Sequence, residues 1–163
     1  MDTTPKQMAF CPPESPLSPC TAYISIGSNL GQRADNCRTG ISSLAAVEGV
    51  EMLAQSRLFF TEPVNYENQQ WFVNAVAKIR TVLPPSDLLH QLKIIEIRAG
   101  RTTPAIRFGP RILDLDILFY ENIIINSNTL EIPHPRMHKR QFVLRPFCDI
   151  DPDIMHPVFK KTV

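Results

Sequence analysis

The sequence predicts an α+β domain: an antiparallel sheet with helices packed on one face and the other face open to bind a substrate. Three observations lead there. Segments with apolar residues at alternate positions give way to segments whose apolar residues recur at helical spacing, the two periods that separate strand from helix. Their order is β-α-β-β-α-β with extra strands, which is the ferredoxin-like arrangement. Gly, Pro and Asn clusters punctuate the boundaries.

Thr21 to Gly27 alternates Ala22, Ile24 and Ile26 against Tyr23 and Ser25, and Gly27-Ser28-Asn29 ends this first strand. Ala34, Cys37, Ile41, Leu44 and Ala45 then follow helical spacing as far as Gly49. Residues 50–61 are β-prone and close on Phe59-Phe60-Thr61, and a polar stretch from Asn65 to Gln70 leads to a strand over Trp71–Arg80. There Trp71, Val73, Ala75, Ala77 and Ile79 share one face, and Phe72, Asn74, Val76, Lys78 and Arg80 the other. Pro85 suits a first helical turn, Leu88, Leu89, Leu92 and Ile95 form the stripe, and Gly100 suits the C-terminal end. Residues 101–111 read as a loop, Ile112–Tyr120 and Ile123–Ile125 as a hairpin around Glu121-Asn122, and Gln141–Phe147 as a last strand.

With 163 residues, 44% apolar and 20% charged, the chain fits one domain with a sizeable core. Five of its 15 prolines fall in the first 20 residues, so residues 1–20 are expected to be a flexible Pro-rich leader and residues 21–163 a single domain. No apolar run approaches a membrane span and no secretory signal is visible. The net charge of +1 gives no field that would draw the molecule onto nucleic acid or anionic lipid. Cys11, Cys20, Cys37 and Cys148 show no C-x-x-C pair, so Cys37 and Cys148 read as buried thiols of a cytoplasmic protein.

Leu113-Asp114-Leu115-Asp116-Ile117-Leu118-Phe119 is the most informative segment. As a strand it sends Leu113, Leu115, Ile117 and Phe119 into the core and both carboxylates out on the other face, about 6–7 Å apart at Cα. Two such carboxylates repel unless a cation lies between them, and Mg²⁺ takes oxygen ligands while sharing its sphere with phosphates. The plain alternative is two solvated aspartates. Two short acid-free segments flank the pair: residues 98–111 with Arg98, Arg101, Arg107 and Arg111, and residues 136–145 with Arg136, Lys139, Arg140 and Arg145. Guanidinium forks match phosphate oxygens, so carboxylates, metal and arginines together suit phosphoryl transfer.

Further candidates are less specific alone. His134 is held between Pro133 and Pro135, where it would donate to a phosphate, serve in acid/base work or serve structure. Glu96 lies at the edge of its helix stripe, a place where a glutamate is usually solvated. Phe72 and Asn74 on one strand face offer a ring to stack on and an amide to pair with a planar heterocycle, and Phe108, Phe142 and the Thr61-Glu62-Pro63-Val64 turn would complete that pocket.

Together Arg107-Phe108-Gly109-Pro110-Arg111-Ile112-Leu113-Asp114-Leu115-Asp116-Ile117-Leu118 resembles the signature of the 6-hydroxymethyl-7,8-dihydropterin pyrophosphokinase family, which precedes dihydropteroate synthase in folate biosynthesis. The resemblance runs from Tyr23 to about Pro157, through Ile24-Ser25-Ile26-Gly27-Ser28-Asn29-Leu30-Gly31, Phe72-Val73-Asn74-Ala75-Val76 and Ile132-Pro133-His134-Pro135-Arg136-Met137. It implies transfer of pyrophosphate from ATP to the hydroxymethyl group of a reduced pterin alcohol, releasing AMP. It implies that Asp114 and Asp116 bind two Mg²⁺ ions, and that Arg101 and Arg111 contact the phosphates and assist transfer. His134, Arg140 and Glu96 match residues at the ATP site. Phe72 and Phe142 match rings that sandwich the pterin, Asn74 and Thr61 its hydrogen-bond partners, Pro63 and Val64 its flanking turn, and Phe108 an aromatic that closes over it.

The resemblance further implies loop closure over residues 62–70 and 98–108, a monomer, no nucleic-acid or membrane partner, and a functional link to dihydropteroate synthase. Phe72 and Phe108 stand where some members carry Tyr and Trp, and Asn65 where glycine is common. Residues 1–20 have no counterpart, and members usually continue beyond the equivalent of Val163. Two competitors remain. A nucleotidyltransferase also pairs a Gly-Ser turn with D-x-D, but there the motifs lie close in sequence. An RNA-binding module would use exposed aromatics and basic flanks, but Asp114 and Asp116 would repel its phosphates.

Overall fold

The computed structural model describes residues 18–63, 69–101 and 110–163. Its elements are β1 (Cys20–Ser28), α1 (Arg33–Ala45), β2 (Val50–Gln55), β3 (Phe59–Thr61), β4 (Phe72–Thr81), α2 (Pro85–Arg98), β5 (Asp114–Tyr120), β6 (Ile125–Asn126), β7 (Glu131–Ile132) and α3 (Gln141–Cys148). The strands form an antiparallel sheet in the order β2-β4-β1-β5, with β3 also paired to β4, and a separate β6-β7 ribbon. The α+β class and the antiparallel sheet agree with the sequence.

The period-2 pattern decides which side chains meet the helices. Ala22, Ile24 and Ile26 of β1, Val73, Ala75, Ala77 and Ile79 of β4, and Leu113, Leu115 and Ile117 around β5 form one core with Cys37, Ile41 and Leu44 of α1 and Leu88, Leu92 and Ile95 of α2. Helix α1 packs closely on Leu113, just before β5, because residue 40 is glycine: a Cβ there would lie 2.9 Å from Leu113 Cδ1. The opposite face is divided. Tyr23, Val76, Leu118 and Phe119 pack against Met137, Val143 and Phe147, so α3 covers one end of that face and leaves the other end open.

Several expectations are corrected. Gln141–Phe147 is helical, and its buried residues Val143, Pro146 and Phe147 fall at i, i+3 and i+4. A short apolar run fits either period, and here the second core selects the helix. Residues 50–61 make two strands, because Ser56 turns inward: its Oγ accepts from Val76 N at 2.9 Å while its own N–H donates to Val76 O at 2.9 Å. Trp71 lies outside β4 and is 50% exposed instead of sharing the face of Val73. The turn at Glu121-Asn122 does not return a strand onto β5, since Ile125 pairs with Ile132 across a local turn closed by Ser127 N–H to Leu130 O at 3.0 Å. Phe119 does not join Leu113, Leu115 and Ile117. The register slips between Tyr23 and Ile24, whose partners are Phe119 and Ile117, and this bulge sends Phe119 to the second core and Tyr120 to the first. Cys148 is exposed, whereas Cys37 is buried as expected; Cys20 opens β1. No helix among the described residues is long and apolar enough to cross a membrane.

The segment after α3 is tied to the sheet by charge. Asp151 accepts from the Tyr23 hydroxyl and from Lys78 Nζ, the latter at 2.7 Å, and the Lys78 ammonium lies 5.4 Å from the Tyr23 ring centroid. Hydrogen bonds from Lys78 and Tyr23 hold the Asp151 carboxyl below the usual carboxylate range. A lowered folded-state value means that the contribution is fully present above the unfolded value of about 3.9 and fades as pH falls through the folded one. Asp151→Asn is therefore expected to lower the urea midpoint by a constant amount from neutral pH down to about 5, with the gap to wild type closing below about pH 4. A gap that persists unchanged into acid would show that the ion pair contributes nothing.

Candidate active site

The open end of the sheet face is built from three neighbouring strands in register. Gly27 of β1 lies between Asn74 of β4 and Asp114 of β5, and Ser25 lies between Val76 and Asp116. These small β1 residues form the floor of a cleft of about 250 Å³, with Asn74 on one side and the two aspartates on the other. Gly27 is required by close approach, since a Cβ at that position would stand 2.9 Å from Asn74 Oδ1.

On the β5 side, strand periodicity turns Asp114 and Asp116 to the cleft while Leu113, Leu115 and Ile117 enter the core. Asp114 is gripped from two directions: Arg101 Nη1 donates to Oδ1 at 2.8 Å and Arg111 Nη1 to Oδ2 at 2.7 Å. Asp116 faces His134, whose Nε2 lies 3.9 Å from Oδ2. His134 is fixed by its own main chain, which donates to Leu118 O at 2.9 Å, and by Arg136 N–H, which donates to its Nδ1 at 3.1 Å. Because Nδ1 accepts, Nε2 is the nitrogen left to carry a proton toward Asp116. Burial, then the neighbouring Asp114 charge, pushes the Asp116 carboxyl up. Burial pushes His134 down against the pull of Asp116, and burial with the nearby Arg136 lowers Arg140.

Glu96 departs from the solvated expectation. It is 1% exposed and takes Leu115 N–H at 2.7 Å, Lys93 Nζ at 3.0 Å and Arg101 Nη1 at 2.5 Å. It stands behind the cleft wall instead of lining it. Burial pushes its carboxyl up, opposed chiefly by the Lys93 charge.

The β4 side is less charged. Asn74 is 3% exposed and its Nδ2 donates to Thr61 Oγ1 at 2.7 Å, which joins the end of β3 to the floor. Phe72 at the start of β4 and Phe142 at the start of α3 line the cleft, and the Arg140 guanidinium carbon lies 5.4 Å from the Phe142 ring centroid. Pro63 is outside the cleft lining, and Val64 and Phe108 lie outside the described residues. Of the eight basic residues in the two acid-free segments, Arg101, Arg111, Arg136 and Arg140 line the cleft; Arg98, Lys139 and Arg145 are exposed elsewhere, and Arg107 lies outside the described residues.

Three contributors escaped the sequence reading. Lys93 lines the cleft, and its spacing of three from Glu96 on α2 was the available signal. Ser25 was visible only as an alternating strand residue. Asn29 is fully buried: its Oδ1 accepts from Arg111 N–H at 2.8 Å and its Nδ2 donates to Gln69 at 2.8 Å, so the residue after β1 anchors both flanking segments. Among the described residues no cluster of three or more His, Cys, Asp or Glu side chains cages a metal. Two adjacent carboxylates nonetheless fit Mg²⁺, which keeps waters and takes its remaining ligands from substrate phosphates.

Residues 23–152 match the model of the family described as 7,8-dihydro-6-hydroxymethylpterin-pyrophosphokinase (HPPK). The chain is 46% identical over 136 residues to the folic acid synthesis protein fol1 of Pneumocystis carinii, covering 83% of this chain but only 18% of that protein. It is 41% identical to the 2-amino-4-hydroxy-6-hydroxymethyldihydropteridine pyrophosphokinase of Bacillus subtilis, covering 79% of this chain and 77% of the relative. A crystal structure of wild-type Plasmodium falciparum HPPK-DHPS with pteroate superposes with a TM-score of 0.72 at 16% identity over 91% of this chain and 42% of that one, a likeness of fold. The match spans the strands that carry Asp114, Asp116 and Asn74, and with it the chain belongs to the 7,8-dihydro-6-hydroxymethylpterin-pyrophosphokinase family.

Proposed function

We propose that this chain transfers pyrophosphate from ATP to the hydroxymethyl group of 6-hydroxymethyl-7,8-dihydropterin, giving AMP and the pterin diphosphate in folate biosynthesis. The observation that carries this reading is the division of one cleft into two chemistries. A polyanion-binding half holds Asp114, Asp116, Arg101, Arg111, His134 and Arg140, and a ring-binding half holds Phe72, Phe142, Asn74 and Thr61. A flat heterocycle stacks in the second half with its hydroxymethyl arm directed along the floor toward the first.

Asp114 and Asp116 would hold Mg²⁺, two ions on the family pattern, which when bound neutralises the triphosphate and lowers the cost of charge in transfer. Arg101 and Arg111 both lie on Asp114 and would extend to phosphate oxygens that compete for their forks. His134 Nε2–H and Arg140 would donate to the same polyphosphate. The acceptor oxygen forms a bond to the β-phosphorus as the bond from that phosphorus to the α-bridging oxygen breaks. AMP leaves with the bridging oxygen, and the hydroxyl proton passes to solvent or phosphate; none of Phe72, Phe142, Asn74 and Thr61 is a base. Pro63 and Val64 would flank the pterin, and Phe108 would close over it. In this reading residues 21–163 act as one cytoplasmic, monomeric catalytic domain behind a leader without chemistry, and the product feeds dihydropteroate synthase.

The test is the nucleotide product. With ATP, Mg²⁺ and the reduced pterin alcohol, AMP is expected to accumulate in step with the pterin diphosphate, and ADP, or turnover without metal, refutes the assignment. Asp114→Asn and Asp116→Asn are expected to lower kcat by about 10²–10³-fold while circular dichroism stays native; near-native rates in both would reject the metal ligands. Gly27→Ala is expected to displace the Asn74 amide and raise KM for the pterin about tenfold or more with KM for ATP unchanged. Equal changes in both constants would mean that the floor does not separate the two halves.

A further inference from the structure

Among the described residues strand β5 is an edge strand: β1 takes one side of it, and no described strand pairs with the other. Leu115, the residue between the two aspartates, is nevertheless satisfied on that outer side. Its N–H donates to Glu96 Oε1 at 2.7 Å, and its carbonyl lies 3.4 Å from Lys93 Nζ. Lys93 also donates to both Glu96 oxygens, at 3.0 and 3.1 Å. One turn of α2 thus presents an acceptor and a donor to one residue of β5, as a neighbouring strand would. The second Glu96 oxygen holds Arg101, which passes on to Asp114.

A buried carboxylate is a costly way to pack a helix on a sheet, and an apolar side chain of similar volume would serve that purpose at least as well beside Leu88, Leu92 and Ile95. What an apolar side chain could not do is hold Leu115 N–H and Arg101 at once. We propose that Lys93 and Glu96 are positioning residues for the carboxylate pair: they clamp Leu115 in place of a strand, fix the spacing of Asp114 and Asp116, and hold Arg101 beside them. What the pair binds rests on the pyrophosphokinase reading; the clamp itself does not. Outer partners of this kind commonly change metal affinity or activity by about 10–100-fold when removed.

The experiment compares wild type, Lys93→Met, Lys93→Arg and Glu96→Gln. Mn²⁺ affinity is measured by electron paramagnetic resonance with a non-hydrolysable ATP analogue, Leu115 amide exchange by NMR, and the Mg²⁺ dependence of AMP formation by assay. Lys93→Met is expected to weaken Mn²⁺ binding and raise the half-saturating Mg²⁺ about tenfold. It is also expected to speed Leu115 exchange and leave KM for the pterin unchanged. Lys93→Arg keeps a donor and is expected to restore both binding and exchange. Glu96→Gln keeps an acceptor for Leu115 but loses the charge on Arg101, so kcat is expected to fall while Leu115 exchange stays slow. Folded Lys93→Met and Glu96→Gln proteins with wild-type Mn²⁺ affinity and Mg²⁺ dependence overturn the clamp, as does a loss in Lys93→Met with Leu115 exchange unchanged. Wild-type protein that binds Mn²⁺ but forms no AMP refutes the substrate reading instead, and the binding and exchange comparison still decides the clamp.

Discussion

Asp114 and Asp116 leave the same face of one strand, and two like charges at that spacing are unfavourable unless the surroundings compensate them. Much of the cleft is that compensation. Arg101 and Arg111 close on Asp114, His134 turns Nε2 toward Asp116, and Lys93 adds a charge from α2. These partners come from α2 and its end, the approach to β5 and the segment after β7, so three separate stretches of chain converge on two side chains. On the proposed reading, a phosphate chain would bring its own negative charge into this balance, and a divalent cation would offset it.

The opposite wall depends on size. β1 runs through the middle of the sheet and places Gly27 and Ser25 where larger residues would fill the cleft. The absent side chain at Gly27 lets the Asn74 amide lie across the sheet, and Thr61 fixes that amide from β3. Further along the same face the residues become large: Tyr23, Val76 and Phe119 carry α3 and the segment beyond it. One strand face therefore changes from cleft floor to core within a few residues, and α3 reaches back from that core with Phe142 to wall the cleft.

Much of the site was legible because its signals are local. The spacing of Asp114 and Asp116 sets their shared direction, and Phe72 and Asn74 share a face by the same rule. Glu96 matches a nucleotide-site residue by resemblance, but its burial is not legible in the sequence, because its surroundings are assembled from α2, β5 and Arg101, none of which its own neighbours in sequence reveal. Lys93 was overlooked for the same reason. Of the basic residues in the two acid-free segments, Arg101, Arg111, Arg136 and Arg140 line the cleft among the described residues. Position within a basic run does not set direction.

The same division holds for the fold. Alternating and helical periods in the chain determined β1, α1, β4 and α2, because each has one face that must be buried and a period that says which. Only tertiary structure decided Gln141–Cys148, where a short apolar run fits strand or helix and the packing of Val143 and Phe147 against Tyr23 and Phe119 selects one. Only it placed Phe119 on the second core, through a bulge that depends on pairing with β1. Side-chain direction within an element is a short-range property; which charges meet, and which edge a buried glutamate completes, depends on contacts between residues far apart in the chain.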